Sequence, residues 1–478
     1  MIELSRNNII IRNIDTTSSE FKKLTYKFSL YDKLYRKYTF SAFFQEGDDI
    51  YLPSSIGLNE ITQIFPKKEV QVNFNNVAKS KNVEYSMKSQ PRDDLQKQAL
   101  EFLIKMKKDP ETHSRFLSLA TGSGKTYVTI NLISKLRKKP MIIVDAIDLA
   151  TQWKREFLKH TDLMDDDILI LSGQESIDKE ILNPQKKVYI AVHRTLGNMM
   201  TNDVNSMNVL TNKLGIGIRI FDESHVEFGN ICKINAFSNV EYTLYLTATP
   251  NRSNFNDDSL YAKVFGKIPF FNGKDMSSEK YHTVILIKMN SQPTFDEKLG
   301  IRTQYGFSQA RWGSYMTSSG YETLFECLIE IIEKFNLTTR NKKTAIVLPT
   351  IDLIKKVKEE LVDKFPEMDI GTFIGEVSKK KRDAELDKMF ILTNEKIFGK
   401  GKDVKDLEIV INFVPVGSVV VTEQILGRLR NNEGKSAILF DITDVGFDEC
   451  VRQQKVRKRF YRKHKTVKKI IEISKEKK

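Results

Sequence analysis

The sequence predicts an α/β fold with two successive parallel sheets, each flanked by helices, behind a small α+β block. From Leu95 onward, short apolar runs of strand length alternate with segments of helical periodicity, a pattern typical of a mostly parallel sheet. A second series of the same kind begins near Thr344. A chain of 478 residues has room for about two to four domains. Two similar lobes are therefore favoured over one large sheet.

Each predicted strand is a short apolar run bounded by turn or helix segments. In the first series the strands are 116–119, 141–144, 168–171, 188–191, 218–221 and 244–246. In the second series they are 345–348, 390–392, 409–411 and 437–440. The join between about 265 and 320 is irregular. The predicted divisions are an N-terminal block at 1–88, a first lobe at 89–285, a second lobe at 286–450 and a basic tail at 451–478.

The N-terminal block interleaves aromatic residues with lysines and arginines. Its aromatic residues between 21 and 51 are Phe21, Tyr26, Phe28, Tyr31, Tyr35, Tyr38, Phe40, Phe43, Phe44 and Tyr51. Residues 38–44 and 50–52 alternate like half-buried strands around a turn at 46–49. Aromatic rings between cations can stack bases. The core of a small α+β domain explains most of these rings more simply, and we expect that arrangement.

The net charge of +14 is concentrated at the end of the chain. From Arg452 onward, thirteen lysines and arginines face two glutamates, a net charge of +11 that leaves +3 for the preceding 451 residues. Such a tail favours a polyanionic partner, above all nucleic acid. A solvated tail that aids solubility explains the charge equally well.

Composition excludes several classes of protein. Hydrophobic residues make up 40% and charged residues 29%, as in ordinary globular proteins. No apolar run reaches the length of about 18 residues that a membrane span requires, and the first residues lack the apolar core of a signal peptide. Cys232, Cys327 and Cys450 lie far apart, which excludes a disulfide framework or a cysteine-rich zinc site. We expect a cytoplasmic protein.

A predicted phosphate-binding loop lies between the strand at 116–119 and a helix predicted from Tyr127 to Lys138. The loop residues expected around the phosphates are Thr121, Gly122, Ser123, Gly124, Lys125 and Thr126. The glycines let backbone N–H groups turn onto phosphate oxygens at the helix N-terminus. Lys125 would reach the β and γ phosphates, and the Thr126 hydroxyl would hold Mg²⁺.

The loop departs from the usual pattern at Leu119, where a glycine is expected. A Gly/Ser turn that happens to precede Lys-Thr is a serious rival for this motif alone. Asp222 and Glu223, two acids that follow the predicted strand at 218–221, weigh against this alternative interpretation of the loop. We expect Asp222 to hold Mg²⁺ and Glu223 to orient the attacking water and accept its proton, with His225 coupling the nucleotide to the segment Thr247-Ala248-Thr249-Pro250.

An arginine-bearing helix is predicted in the second series, at Glu423 to Arg430. Arginine stabilises charge on a transferring phosphoryl group. We therefore expect Arg428 to act as an arginine finger and Gln424 to complete the catalytic site. Plain surface arginines are the common alternative, so this prediction depends on the order of the motifs.

In this order the motifs resemble those of superfamily-2 helicases and translocases, in particular the XPB/RecG-like group with its phage and poxvirus members. The resemblance covers roughly 90–450 and implies two tandem RecA-like lobes. The further nucleotide-binding residues that it implies are Arg92, Gln96, Gly401, Asp403 and Arg430. The nucleic-acid contacts that it implies are Gln152, Trp153, Thr195, Arg252 and Thr393. The family's last helix motif places its second arginine where this chain has Asn431, so a continuous helix would rotate Arg430 by about 100°.

The resemblance implies an enzyme that uses ATP and Mg²⁺ to move along nucleic acid, DNA more than RNA. Unwinding or branch migration of forked, junction or displacement-loop DNA is the expected activity, and the N-terminal block is the expected duplex or junction contact. A viral origin, in the host cytoplasm, is suggested by the resemblance alone. Transcript release, RNA unwinding, the motor of a restriction system and a binding module with a vestigial ATP site remain alternatives.

Overall fold

The chain forms two compact units, Met1–Ser277 and Ser278–Lys478. The computed structural model describes residues 1–32, 36–109, 112–119, 123–247, 255–273, 282–304, 306–339, 342–374, 384–395, 398, 404, 406–429, 437–464 and 466–473. None of the helices within these ranges is long and apolar enough to cross a membrane.

The first unit contains fourteen strands and ten helices within the described ranges. Its strands are β1 (Ile2–Leu4), β2 (Asn8–Ile11), β3 (Ser29–Asp32), β4 (Lys37–Ser41), β5 (Phe44–Glu46), β6 (Asp49–Pro53), β7 (Val70–Val72), β8 (Ser114–Ser118), β9 (Pro140–Val144), β10 (Ile168–Leu171), β11 (Val188–Val192), β12 (Ile218–Phe221), β13 (Tyr242–Thr247) and β14 (Phe270–Asn272). Its helices are α1 (Ser19–Phe28), α2 (Leu58–Ile64), α3 (Asp94–Ile104), α4 (Lys125–Leu136), α5 (Ile147–His160), α6 (Gln174–Leu182), α7 (His193–Asn202), α8 (Ser206–Leu214), α9 (Phe228–Phe237) and α10 (Phe255–Phe265).

The second unit is built in the same way. Its strands are β15 (His282–Met289), β16 (Arg302–Thr303), β17 (Gly306–Phe307), β18 (Lys343–Leu348), β19 (Ile370–Phe373), β20 (Phe390–Asn394), β21 (Leu407–Asn412), β22 (Ala437–Asp444) and β23 (Val467–Ile473). Its helices are α11 (Phe295–Gly300), α12 (Gln309–Thr317), α13 (Tyr321–Lys334), α14 (Ile351–Lys364), α15 (Val419–Arg428) and α16 (Asp448–Lys463).

Each unit is organised around a seven-stranded parallel sheet. The strand order is β10-β11-β9-β12-β13-β8-β14 in the first unit and β19-β20-β18-β21-β22-β15-β23 in the second. Every pairing within the two sheets is parallel, and most of the strands are buried apolar runs. The edge strands β14 and β23 are more exposed. Parallel sheets are buried on both faces by their crossover helices. The predicted fold class, two helix-flanked parallel sheets behind an α+β block, is confirmed.

The predicted boundary at residue 88 implied that the N-terminal block is a separate unit. The block instead belongs to the first unit, Met1–Ser277. Its five-stranded sheet, in the order β5-β6-β2-β1-β7, shares one apolar core with the first lobe. The Tyr51 and Phe237 rings stack with centroids 4.7 Å apart. The buried Asn7 amide donates to Thr243 Oγ1 at 2.9 Å, and its backbone N–H donates to Asn239 Oδ1 at 2.9 Å. Phe28 and Phe43 are buried as expected, whereas Tyr26, Tyr31 and Tyr38 are exposed.

The boundary between the lobes lies earlier than predicted. The predicted division at residue 285 would cut through β15, which pairs with β22 along its whole length. Strand β15 therefore belongs entirely to the second unit, which begins at Ser278. The sequence between 265 and 320 looked irregular because its described residues contain β14, β15, the short β16–β17 pair and two helices, α11 and α12, which do not alternate as strand and helix.

Within the described residues, the basic C-terminal segment is folded. It forms α16 and then β23, which pairs with β15 at the edge of the second sheet. Buried residues recur on α16 at helical spacing, at Cys450, Gln454, Arg457 and Tyr461. Arg457 is 2% exposed, and its Nη2 donates to Asp441 Oδ1 at 2.8 Å. For the described residues, the prediction of a basic tail from residue 451 was therefore wrong, because the count of charges does not reveal the buried face of the helix.

We expect Arg457→Ala to destabilise the second unit by about 3–5 kcal/mol, because the substitution leaves the Asp441 carboxylate buried without its main cationic partner. The matched control is Arg459→Ala, an exposed arginine on the same helix, whose effect should stay within about 0.5 kcal/mol. Urea unfolding, followed by Trp312 fluorescence in a Trp153→Phe background, measures this unit separately. Equal stability of the two variants would contradict the assignment.

Candidate nucleotide-binding site

The described part of the phosphate loop leads directly into α4. Gly124 has φ +91° and precedes Lys125, the first residue of the helix. A Cβ atom at Gly124 would lie 2.2 Å from Gln96 Nε2, so both the backbone conformation and the close approach require glycine. Ser123, Gly124, Lys125 and Thr126 therefore lie at a helix N-terminus suited to an anion. Thr121 and Gly122 lie outside the described residues.

The segment that carries the predicted nucleotide-binding residues Arg92 and Gln96 lies against this loop. Asp93 caps α3 by accepting from the Gln96 backbone N–H at 2.9 Å. The Gln96 side chain is buried, accepting from the Arg92 backbone N–H at 3.1 Å and donating to the Ser123 carbonyl at 3.3 Å. Arg92 itself is largely exposed and pairs with Asp93 at 2.9 Å. Two motifs separated by 27 residues in the chain are thus joined at one position.

The two predicted acids follow β12 on the same edge of the sheet. Lys125 Nζ lies 3.6 Å from Glu223 Oε1, which brings the phosphate loop and the acid pair together. Glu223 has φ +45°, a conformation that non-glycine residues adopt rarely and that concentrates at functional sites. Ser224 then donates its backbone N–H to the Leu246 carbonyl at 2.9 Å. The turn that carries Glu223 is therefore anchored to the neighbouring strand.

Asp222 is oriented by two donors. Trp153 Nε1 donates to Asp222 Oδ2 at 2.8 Å, and the Glu223 backbone N–H donates to Asp222 Oδ1 at 3.0 Å. Burial and the neighbouring Glu223 carboxylate raise the pKa of Asp222 to about 6, whereas Lys125 acts in the opposite direction. A carboxylate held in this way and the Thr126 hydroxyl are oxygen ligands of the kind that Mg²⁺ prefers. The residues present therefore fit a Mg²⁺–nucleotide complex.

His225 lies between the acid pair and the next strand. Its Nδ1 is 2.9 Å from Thr247 Oγ1 and 3.3 Å from Glu223 Oε2. Thr247 is the last residue of β13, so the contact connects the acid turn to the start of the segment predicted to relay the nucleotide state. The remainder of that segment, including Arg252, lies outside the described residues.

Two predicted nucleic-acid contacts have buried side chains. Trp153 is 2% exposed and directs its N–H to Asp222. Thr393 is fully buried and donates its hydroxyl to the Phe373 carbonyl at 2.9 Å. Neither side chain presents a surface to nucleic acid in this structure. Gln152 on α5 and Thr195 on α7 are partly exposed, and their predicted contacts stay predictions.

The arginine helix is shorter than predicted. Helix α15 ends at Arg428, and Leu429 is already extended with φ −64° and ψ 139°. The predicted rotation of Arg430 on a continuous helix stays a prediction. Arg430, Gly401 and Asp403 lie outside the described residues. Gln424 and Arg428 are both on α15 and partly exposed, and their catalytic roles stay predictions.

The Trp153–Asp222 hydrogen bond was missed by the sequence reasoning. The two residues are 69 positions apart, and no local pattern connects them. The order of the strands could have indicated this contact. Trp153 lies on α5, which follows β9, Asp222 follows β12, and β9 and β12 are neighbours in the sheet.

The chain combines a phosphate loop, an acid pair and two parallel sheets. These features define a nucleotide-binding motor of the RecA-like α/β class. The family model described as "Type III restriction enzyme, res subunit" matches residues 89–252. The model described as "Helicase conserved C-terminal domain" matches residues 323–432. The chain belongs to the superfamily-2 helicase group, whose members are ATP-hydrolysing enzymes. The predicted membership is thereby confirmed.

Curated relatives are similar over different shares of the chain. The "DNA 3'-5' translocase XPB2" of Sulfurisphaera tokodaii is 24% identical over 424 residues, 81% of this chain and 89% of the relative. The "Transcript termination protein A18" of Yaba-like disease virus is 26% identical over 401 residues, 79% of this chain and 78% of the relative. A Haloarcula marismortui protein is 32% identical over 143 residues, 30% of this chain and only 21% of its own length.

A solved fragment assigned to a type I restriction enzyme of Vibrio vulnificus shares the fold. It has a TM-score of 0.50 and 15% identity, and the match covers 79% of this chain and 68% of the fragment. At this identity the likeness concerns the fold alone.

We expect Trp153→Phe to raise the Mg²⁺ concentration for half-maximal ATP hydrolysis about tenfold, because the ring is kept while the donor that orients Asp222 is removed. A magnesium titration of the ATPase rate measures the effect. Trp312→Phe, which removes the indole N–H of the second unit, serves as the control. An unchanged magnesium dependence in Trp153→Phe would show that the hydrogen bond has no role in metal binding.

Proposed function

We propose that this chain is a nucleic-acid-stimulated ATPase that moves along DNA and unwinds or branch-migrates forked, junction or displacement-loop substrates. The observation that carries the proposal is the 3.6 Å approach of Lys125 Nζ to Glu223 Oε1 at the N-terminus of α4. A lysine, a carboxylate pair and a helix N-terminus at one point are the parts required for phosphoryl transfer to water. Replication, recombination or repair would use such an activity.

The chemistry divides among a few side chains. Lys125 and the backbone N–H groups at the start of α4 bind and orient the β and γ phosphates. Thr126 and Asp222 would hold Mg²⁺, which supplies charge neutralisation on the phosphate oxygens when bound. Glu223 accepts the proton of the attacking water. Its backbone conformation and the His225 contact hold this carboxylate in a fixed direction.

The second unit contributes Gln424 and Arg428 in this proposal. Arg428 is assigned as the guanidinium that stabilises charge on the transferring phosphoryl group.

Sequence-independent contact with the DNA backbone is proposed for the basic face of α16 and β23. Its exposed cations are Arg452, Lys455, Arg459, Arg462, Lys463, Lys468 and Lys469. Such contacts bind phosphates of any sequence and weaken as salt rises. The name of the Sulfurisphaera relative supports movement on DNA in the 3′ to 5′ direction.

A second candidate function is release of transcripts from an RNA polymerase. The similarity to a protein named for transcript termination over 79% of this chain favours it. The same motor would act in both cases, and the nucleic acid that stimulates it would distinguish them. A viral origin is proposed with either candidate.

We expect Lys125→Ala to lower the ATPase rate at least a hundredfold, since the substitution removes the cation that reaches the transferring phosphate. Lys135→Ala is the matched control, because Lys135 is exposed on the same helix. Steady-state phosphate release measures both variants, with thermal unfolding as a check of folding. Retained turnover in Lys125→Ala would refute the loop assignment.

The ATPase rate should rise most with a branched DNA junction when it is compared with no nucleic acid, single-stranded DNA, duplex DNA and single-stranded RNA. A motor that remodels branches couples hydrolysis to the substrate that it grips. Strongest stimulation by RNA would favour the transcript-directed function. Hydrolysis unaffected by all of them would contradict both candidates.

A further inference from the structure

A two-stranded hairpin projects from the N-terminal block outside its five-stranded sheet. It consists of β3 and β4, which pair antiparallel with Leu30 opposite Phe40 and Tyr31 opposite Tyr38. We call residues 29–32 and 36–41 the tyrosine hairpin. Residues 33–35 lie outside the described residues.

The tyrosine hairpin has one aromatic pair exposed to solvent. Tyr31 is 47% exposed and Tyr38 is 44% exposed, and their rings meet edge to face with centroids 5.2 Å apart. A cross-strand pair of this kind stabilises a hairpin modestly. It also leaves part of each ring exposed to water, and exposed aromatic rings are surfaces on which unpaired bases stack.

The surrounding charge favours a polyanion. Between Phe21 and Ser41 the chain carries six lysines and arginines and a single aspartate. Lys22, Lys23 and Arg36 of this group are exposed. Aromatic platforms among cations are the recurring solution for binding single-stranded nucleic acid without sequence preference. A protein partner would gain less from this charge, so we commit to unpaired DNA.

The opposite side of the hairpin contacts the segment that follows the acid pair. The Phe40 ring lies 5.5 Å from the Phe228 ring, centroid to centroid. A Cβ atom added at Gly229 would lie 3.2 Å from Phe40 Cε2, which shows how closely the hairpin approaches α9. Between Glu223 and Phe228 the chain makes a turn in which the Val226 N–H donates to the Glu223 carbonyl at 2.8 Å. Displacement of Phe40 therefore acts on a segment five residues from the proposed base.

We propose that Tyr31 and Tyr38 stack on unpaired bases of a DNA strand, and that Phe40 transmits this contact through Phe228 to the turn that carries Glu223. The tyrosine hairpin is then the element through which DNA stimulates ATP hydrolysis. The inference rests on the proposed function and adds the surface that senses the nucleic acid.

The test compares a Tyr31→Ala/Tyr38→Ala double variant with Tyr26→Ala, which removes a more exposed tyrosine from α1 of the same block. Binding of a fluorescent single-stranded DNA oligonucleotide is followed by anisotropy without ATP, and the ATPase rate is measured with and without that DNA. The double variant should bind about tenfold more weakly or worse, since each stacked base contributes about 1–3 kcal/mol. Its rate without DNA should equal that of the wild type.

A Tyr31→Phe/Tyr38→Phe variant should restore binding, because the ring faces remain. Phe40→Leu should keep the DNA affinity within about twofold but lower the stimulation several-fold, as the apolar volume remains while the ring contact is lost. Unchanged affinity in the alanine double variant, or an equal loss in Tyr26→Ala, would overturn the assignment of the hairpin. Normal stimulation in Phe40→Leu would overturn the transmission. Preferential binding of RNA by the wild type would overturn the choice of DNA.

Failure of the proposed function looks different from failure of this inference. If the wild-type ATPase does not respond to any nucleic acid, the proposed function fails, while the anisotropy comparison still decides whether the hairpin binds DNA. Far-UV circular dichroism and thermal unfolding of each variant establish that a loss of affinity is not a loss of fold.

Discussion

The parallel arrangement of β12, β13 and β8 is the constraint on which the nucleotide site depends. Because these strands are adjacent and run in the same direction, their carboxyl ends meet at one edge of the sheet. The phosphate loop follows β8, the acid pair follows β12, and Thr247 ends β13 between them. Lys125, Glu223 and Thr247, spread over more than a hundred residues of sequence, thereby become neighbours through the register of three strands.

The N-terminal block is attached to β13, one of these three strands, by buried hydrogen bonds. Asn7 bonds to Thr243 within β13 and to Asn239 just before it, and every amide atom in this contact is buried. Buried polar groups of this kind are costly unless they are paired, so they fix one relative position of the two sheets. The tyrosine hairpin therefore belongs to a block that is bonded directly to β13, the strand that ends at Thr247 beside the nucleotide site.

Local patterns sufficed to predict ten of the fourteen strands in the two parallel sheets and the helix after the phosphate loop, because each depends on residues close in sequence. The strands β14, β15, β19 and β23 were not predicted. Contacts between distant segments were not predictable in this way. Trp153 resembles a nucleic-acid contact until β9 and β12 are placed side by side. Arg457 resembles a solvated cation, because nothing near it in sequence indicates that Asp441 lies beneath it. The end of α15 was also missed, because residues 428–433 contain no proline or glycine that would mark it.

The position of β15 has a consequence for synthesis of the protein. This strand is the first of the second unit, but its two partners are β22 and β23, the last strands of the sheet. While the chain emerges from the ribosome, β15 therefore waits as an unpaired apolar strand for more than 140 residues, a slow and aggregation-exposed stage. The first unit closes its own sheet once β14 has been made. We therefore expect the ATP-binding unit to fold during translation and the second unit to complete its sheet only after residues 467–473 have been released.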